Sequence, residues 1–163
     1  MKAQESIIIG TYNLQNIKIQ QRNRNTSLSE VLIQKAKRNV KILICLAAFM
    51  RKSRFINTLR THPVAHTHKL AIRFCRRMHF KTIIVDLKYA YIGTANISGA
   101  GIGLKSQQRR NFELGFVTRD IELIADVGTT FMEIFNGKYC DKCHFFKNSH
   151  IQDPCSGILW NSI

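Results

Sequence analysis

The hydrophobic run Ile7-Ile8-Ile9 sits among polar residues in the stretch 5–13, where Ile7, Ile9 and Thr11 alternate against Ile8, Gly10 and Tyr12. That two-residue period predicts a strand. Residues 15–26 are polar and rich in Asn and Gln, which predicts a loop or linker. Ser27 or Ser29 can cap a helix, and Glu30, three residues after Ser27, completes a capping box. Leu28, Val31, Leu32 and Ala36 then form the apolar stripe of that helix, to about Arg38. The apolar run at residues 40–47 predicts a buried strand, and residues 49–61 a helix stopped by Pro63. Short strands are predicted at residues 68–74 and 112–118, on either side of a strand pair near residues 79–86 and 89–92. Ile121, Ile124, Ala125, Phe131 and Ile134 recur at helical spacing over residues 121–135, although Gly128-Thr129-Thr130 weakens the pattern. Strands alternating with helices predict a layered α/β domain. No internal repeat is visible.

The central strand pair carries the chemistry. His79 and Lys81 are two residues apart and share one face of a strand, while Phe80, Thr82 and Ile84 take the other face. A neutral imidazole is nucleophilic near pH 7 and can attack phosphorus. An ammonium beside it neutralises nonbridging oxygens as the transition state forms, and the amide NH2 of Asn96 can donate to the same oxygens. Asp86 ends the strand and is read as holding the turn rather than meeting substrate; Gly93 and Thr94 close the returning strand ahead of Asn96. A lone histidine on a strand is usually an ordinary surface or core residue, and a nearby lysine a solvated one. The joint spacing of Asp86, Gly93 and Asn96 tips the balance toward a phosphate-handling site.

The pattern His-x-Lys-x4-Asp-x6-Gly-Thr-x-Asn resembles the HKD signature of the phospholipase D superfamily, with Thr94 where serine is commoner. The likeness continues through residues 97–101 and into Arg110-Asn111-Phe112-Glu113-Leu114-Gly115, which is similar to the downstream Asn-x-Glu-x-Gly segment of that family. The resemblance implies an αβα sandwich with a mixed β-sheet. It also implies a metal-independent reaction in which His79 forms a phosphohistidine and a second histidine serves as general acid and base. Glu113 stands where the family orients a histidine through its other ring nitrogen. Only one such motif occurs in the 163 residues. The family meets that need with two copies in one chain or two subunits sharing a site, so an isologous homodimer is expected, with His79, Lys81 and Asn96 supplied by both protomers. The phospholipase D-like catalytic domain is placed at residues 1–137 and a short cysteine-rich tail at 138–163.

Net charge is +15, unevenly spread. Residues 31–110 hold 17 Lys or Arg against the single acid Asp86, whereas residues 111–163 hold four against seven acids. Such a field draws polyanions; nucleic acid is the first candidate and an anionic membrane surface the second. The longest apolar run, residues 42–50, is about nine residues and falls short of a membrane span. Ile7-Ile8-Ile9 is too short for a signal-peptide core, so a cytoplasmic protein is expected. Hydrophobic residues, at 45%, suffice for one cored domain.

Gly99-Ala100-Gly101-Ile102-Gly103 lacks the strand and striped helix of a dinucleotide fingerprint. It reads as a loop from which Lys105, Arg109 and Arg110 could grip a substrate backbone. In the tail, Cys140-x2-Cys143, His150 and Cys155 form a candidate structural zinc knuckle, with free or redox-active thiols the alternative. Asp153-Pro154 fits a tail pattern of single-motif relatives, in which a cysteine is usual where His150 stands. Cys45 and Cys75 read as plain core thiols, and five cysteines argue against a disulfide framework. His62, His66 and His68 around Pro63 read as solvated loop residues. Three functions follow: a phospholipase D-like nuclease cleaving DNA or RNA, a phospholipase or phosphatidyl transferase, and a noncatalytic nucleic-acid-binding module. Basic charge without a hydrophobic anchor favours the nuclease.

Overall fold

The computed structural model describes residues 3–21 and 24–147. Six strands form one mixed sheet in the order β5-β4-β1-β6-β7-β8. Strands β1 (Ser6–Thr11), β4 (Lys41–Ala47) and β5 (Leu70–Cys75) run parallel. Strands β6 (Lys81–Val85), β7 (Tyr89–Gly93) and β8 (Gly115–Thr118) continue the sheet antiparallel, beginning with β6 against β1. One edge of the sheet therefore collects the carboxyl ends of β1, β4, β5 and β7 and the amino ends of β6 and β8. His79, Lys81, the Gly93–Asn96 stretch and Glu113 reach that edge, whereas Asp86 follows β6 at the opposite one.

Alternation along the strands feeds two cores. Ile7, Ile9, Ile42, Ile44 and Leu46 pack with Leu28 and Leu32 of α1 (Leu28–Lys37) and Phe55, Ile56 and Leu59 of α2 (Arg54–Arg60). On the opposite face Ile8, Leu43, Cys45 and Ile84 meet Ile124, Phe131 and Phe135 of α3 (Ile121–Phe135). Helices on both faces of a mixed sheet make the layered α/β domain that the periodicity predicts and the αβα sandwich that the resemblance implies. The capping box forms as expected: the Ser27 hydroxyl accepts from the Glu30 N–H, and Glu30 Oε2 accepts from the Ser27 N–H at 2.8 Å.

Four local expectations are corrected. The polar segment 15–26 contains an antiparallel pair, β2 (Lys18–Gln21) and β3 (Arg24–Ser27), rather than a loop alone. Backbone pairing satisfies its polar groups, and Ile17 and Ile19 lean on the core of the α1 face. The single helix predicted over 49–61 is two pieces, a 3-10 turn at Ala48–Lys52 and then α2, because Ser53 adopts an extended backbone and caps the second by accepting from the Ile56 N–H. The segment at 112–118 pairs only from Gly115. The motif strand begins at Lys81, so His79 precedes the sheet ladder. Helix α4 (His144–Lys147) ends the described chain. No helix among the described residues is long and apolar enough to cross a membrane.

Candidate active site

His79 stands exposed just ahead of β6, and Lys81 opens the strand with only 8% of its surface exposed. No ion pair or hydrogen bond joins the Lys81 ammonium among the described residues, so its donors are uncommitted. Burying an unpaired cation is costly, a cost that fits a group kept to meet an anion. The amide oxygen of Asn96 accepts from the backbone N–H of Asn13 at 3.1 Å and from the Thr11 hydroxyl at 3.3 Å. With its oxygen so held, the amide presents its NH2 outward as a donor. The loop carrying it is tied to the end of β1, since Gln15 N donates to Ile97 O at 2.8 Å and Gly99 N to Gln15 Oε1 at 3.1 Å.

Glycine permits two close approaches here. A Cβ at Gly93 would lie 2.6 Å from Leu114 O and 2.8 Å from Gly115 Cα, and one at Gly101 would lie 2.3 Å from Asn96 O. The first lets β7 and β8 meet beside Thr94. The second lets the loop fold back onto Asn96.

Thr94 and Glu113 form a second small network. The Thr94 hydroxyl donates to Glu113 Oε2 at 2.6 Å and accepts from the Leu114 N–H at 2.9 Å. Asn111 Nδ2 donates to Glu113 Oε1 at 3.0 Å. Those donations from Thr94 and Asn111, helped by the nearby Lys81 charge, hold the Glu113 carboxyl below its ordinary value. Within the chain Glu113 bonds to Thr94 and Asn111, and no hydrogen bond joins it to His79. Asp86 lies at the far end of β6, where its carboxylate accepts from the backbone N–H groups of Gln4, Glu5 and Ser6. Partial burial raises its pKa, but these donors and Lys88 together outweigh that and hold it below the ordinary value.

Lys105, Arg109 and Arg110 are exposed on the loop between β7 and β8, around a short 3-10 turn at Gln107–Arg109. The glycine-rich stretch before them leads into turns and no α-helix, as the missing stripe implied. His62 does more than face solvent: its Nδ1 accepts from the Val64 N–H at 3.1 Å and caps the turn at Pro63–His66.

Sequence reasoning passed over Tyr12 and Phe49. The Tyr12 ring lies 5.5 Å from the His79 imidazole and 4.9 Å from Phe49. The available signal was their position just past strand ends at the functional edge, which emerges only once the strand order is known.

The cysteines are also rearranged. Cys45 is fully buried, as a core thiol should be, but Cys75 is half-buried and lines a cavity of about 250 Å³ together with Cys140 and Cys143. Desolvation pushes the Cys75 thiol up, with a smaller contribution from the two neighbouring thiols. Cys143 N donates to Cys140 O at 2.9 Å, and Arg73 Nη2 reaches Cys140 Sγ at 3.7 Å. Among the described residues no three His, Cys, Asp or Glu side chains are arranged to hold a metal ion. His150 and Cys155 lie outside the described residues.

Several solved structures share the fold. NucT from Helicobacter pylori is 19% identical, with a TM-score of 0.60 over 82% of this chain and 80% of that one. Nuc from Salmonella typhimurium, a phospholipase D family member, is 18% identical, with a TM-score of 0.59 over 82% and 80%. TrmBL2, an archaeal chromatin protein with a novel mode of DNA binding, is 18% identical, with a TM-score of 0.57 over 83% of this chain and 44% of that one. No curated protein matches the sequence. Residues 1–135 match the family described as cardiolipin synthase, PLD-like domain, and the chain belongs to that family, within the phospholipase D superfamily.

Proposed function

We propose that this protein is a metal-independent phosphodiesterase that cleaves nucleic acid through a phosphohistidine intermediate, at a site shared by two copies of the chain. The observation that carries the reading is the convergence, at one edge of the sheet, of an exposed imidazole, an uncommitted buried ammonium and an amide whose oxygen is already occupied. A ring nitrogen of His79 attacks phosphorus, and the bond to the leaving oxygen breaks as an imidazolium protonates it. That imidazole then takes a proton from water, whose oxygen displaces the histidine and releases the phosphate product. Lys81 and Asn96 hold the nonbridging oxygens as charge builds on them, and Lys105, Arg109 and Arg110 grip the flanking backbone. Glu113, ionised and exposed at one side, orients a histidine of the shared site.

The second imidazole comes from the second copy. Support for that pairing lies in β8, an edge strand whose Phe116 and Val117 are exposed, preceded by exposed Phe112 and Leu114. An apolar edge of this kind is an association surface unless something covers it, and it flanks Glu113. A structural zinc on Cys140, Cys143, His150 and Cys155 belongs to this proposal only as a support for the tail at 138–163, with no part in the reaction. Nucleic acid is favoured over lipid by the basic segment at residues 31–110.

The decisive assay incubates plasmid and RNA with the protein in EDTA, beside a His79→Ala variant and with cardiolipin and choline lipids as parallel substrates. Nucleic-acid cleavage by the parent alone is expected; turnover of lipid only, or equal cleavage by both proteins, would overturn the reading. Light scattering should find a dimer that Phe116→Glu dissociates with loss of activity. A monomer of full activity would contradict the shared site.

A further inference from the structure

Beside the nucleophile lies a recess of about 430 Å³ lined by Tyr12, Ala47, Ala48, Phe49, Arg76 and Phe145. Its position follows from the strand order, because Tyr12 comes just after β1, Ala48 and Phe49 just after β4, and Arg76 just after β5. Ligands of α/β sheets gather outside the carboxyl ends of parallel strands. Tyr12 is 39% exposed and Phe49 56% exposed, although both are large rings a soluble fold would bury if it could. They pack on each other instead, with the Phe49 centroid 4.9 Å from that of Tyr12, and Tyr12 in turn stands 5.5 Å from the His79 ring. The Arg76 guanidinium lies 5.2 Å over the Phe145 ring across the recess. Arg51, Lys52 and Arg54 lie two to five residues after Phe49, and Arg77 follows Arg76. Aromatic faces set among cations are the means by which proteins hold unpaired bases: a base stacks on the ring while the cations track the phosphates.

We propose that the Tyr12–Phe49 recess is a nucleobase-stacking subsite, so that the substrate is an unpaired strand whose base, flanking the scissile phosphate, lies against these rings. The inference rests on the nuclease reading and narrows it to single-stranded nucleic acid. Duplex bases are stacked on one another and reach such a wall only after unpairing. Tyr12 lines the recess and its ring stands 5.5 Å from the His79 ring, so the base held there belongs to a nucleotide next to the phosphorus under attack. No base-edge readout is implied, since every base has a face to stack.

Binding separates stacking from cleavage. In the His79→Ala background, fluorescence anisotropy would measure affinity for a labelled oligo-dT, for an abasic oligomer of equal length, for a closed duplex hairpin and for anionic phosphatidylglycerol vesicles. Tyr12→Ala or Phe49→Ala should weaken oligo-dT binding by about 5- to 150-fold, the equivalent of about 1–3 kcal/mol per base. Affinity for the abasic oligomer should not change, and Tyr12→Phe and Phe49→Tyr should bind oligo-dT as the parent does. Equal affinity of the alanine variants for oligo-dT, equal weakening on the abasic oligomer, or ring dependence seen with vesicles alone would each overturn the subsite. Cleavage of the same oligo-dT by protein retaining His79 is scored separately, so failure of the nuclease reading shows in a different measurement.

Discussion

Replacing Asp86 tests whether the most widely separated member of the motif is a fold residue or a reacting one. Its carboxylate accepts from Glu5 N at 2.8 Å, Ser6 N at 2.9 Å and Gln4 N at 2.9 Å, pinning the entry of β1 to the β6–β7 turn. Hydrogen bonds to a charged acceptor contribute about 1.5–3 kcal/mol each when sheltered; discounting for exposure leaves about 1 kcal/mol apiece. Asp86 also sits at φ 54° and Leu87 at φ 50°, and alanine in that left-handed conformation costs about 1–2 kcal/mol. Asp86→Ala should thus destabilise by about 4–5 kcal/mol, a drop in Tm of roughly 8–20 °C for a domain of this size. Asp86→Asn, which tolerates the positive φ and keeps one acceptor, should lose about half as much in kcal/mol. The strand places Asp86 about 17 Å from Lys81, at about 3.3 Å per residue, so kcat per folded molecule should hold. Because the folded carboxyl is held below its ordinary value, its contribution is complete above about pH 4 and fades as pH falls through the lower folded value. The Tm gap between parent and Asp86→Asn should therefore close only in acid. Calorimetry from pH 7 downward, with initial rates at neutral pH, reads both quantities. A kcat loss of about 100-fold at unchanged Tm would refute the reasoning.

Three further outcomes are expected. Gly101→Ala drives a Cβ into Asn96 O and should cut single-turnover cleavage by about 100-fold, the usual result of a roughly 1 Å misplacement, with the circular dichroism spectrum retained; an unchanged rate would mean that Asn96 does not meet substrate. Lys81→Met removes a buried, uncommitted ammonium of similar length, so Tm should hold or rise while cleavage falls by about 10²–10³-fold; a steep fall in Tm would make Lys81 a fold residue. Protein purified without added zinc should carry stoichiometric metal that Cys140→Ser with Cys143→Ser removes, while cleavage in EDTA persists; metal-free parent protein would dismiss the knuckle, and cleavage lost in EDTA would dismiss metal-independent chemistry.

Short-range information made several features legible from residues alone. The Ser27–Glu30 capping box, the α3 stripe and the alternation of Ile7, Ile8 and Ile9 each depend on spacings within one turn or one strand, where covalent geometry sets the period. The motif spacing is legible for the same reason, since it counts residues along one hairpin. The pairing of β2 with β3 was hidden because polar strands carry little hydrophobic pattern and are held by backbone hydrogen bonds, which every residue type can make. The late start of β6 and β8 was hidden too, because a ladder ends where its partner does.

The chain by itself determined the α/β class, the family signature and the sign of the field around it, all properties of local order and composition. Only the tertiary structure decided that Asn13 and Thr11 occupy the Asn96 oxygen, that Glu113 bonds to Thr94 rather than to His79 within one chain, and that Cys75 joins Cys140 and Cys143 around one cavity. It likewise decided that Tyr12 stands beside His79 and Phe49 beside Tyr12. These contacts join residues from 19 to 85 positions apart. They depend on which strands become neighbours, a choice made by burial of the whole sheet between its helices and not by any one segment.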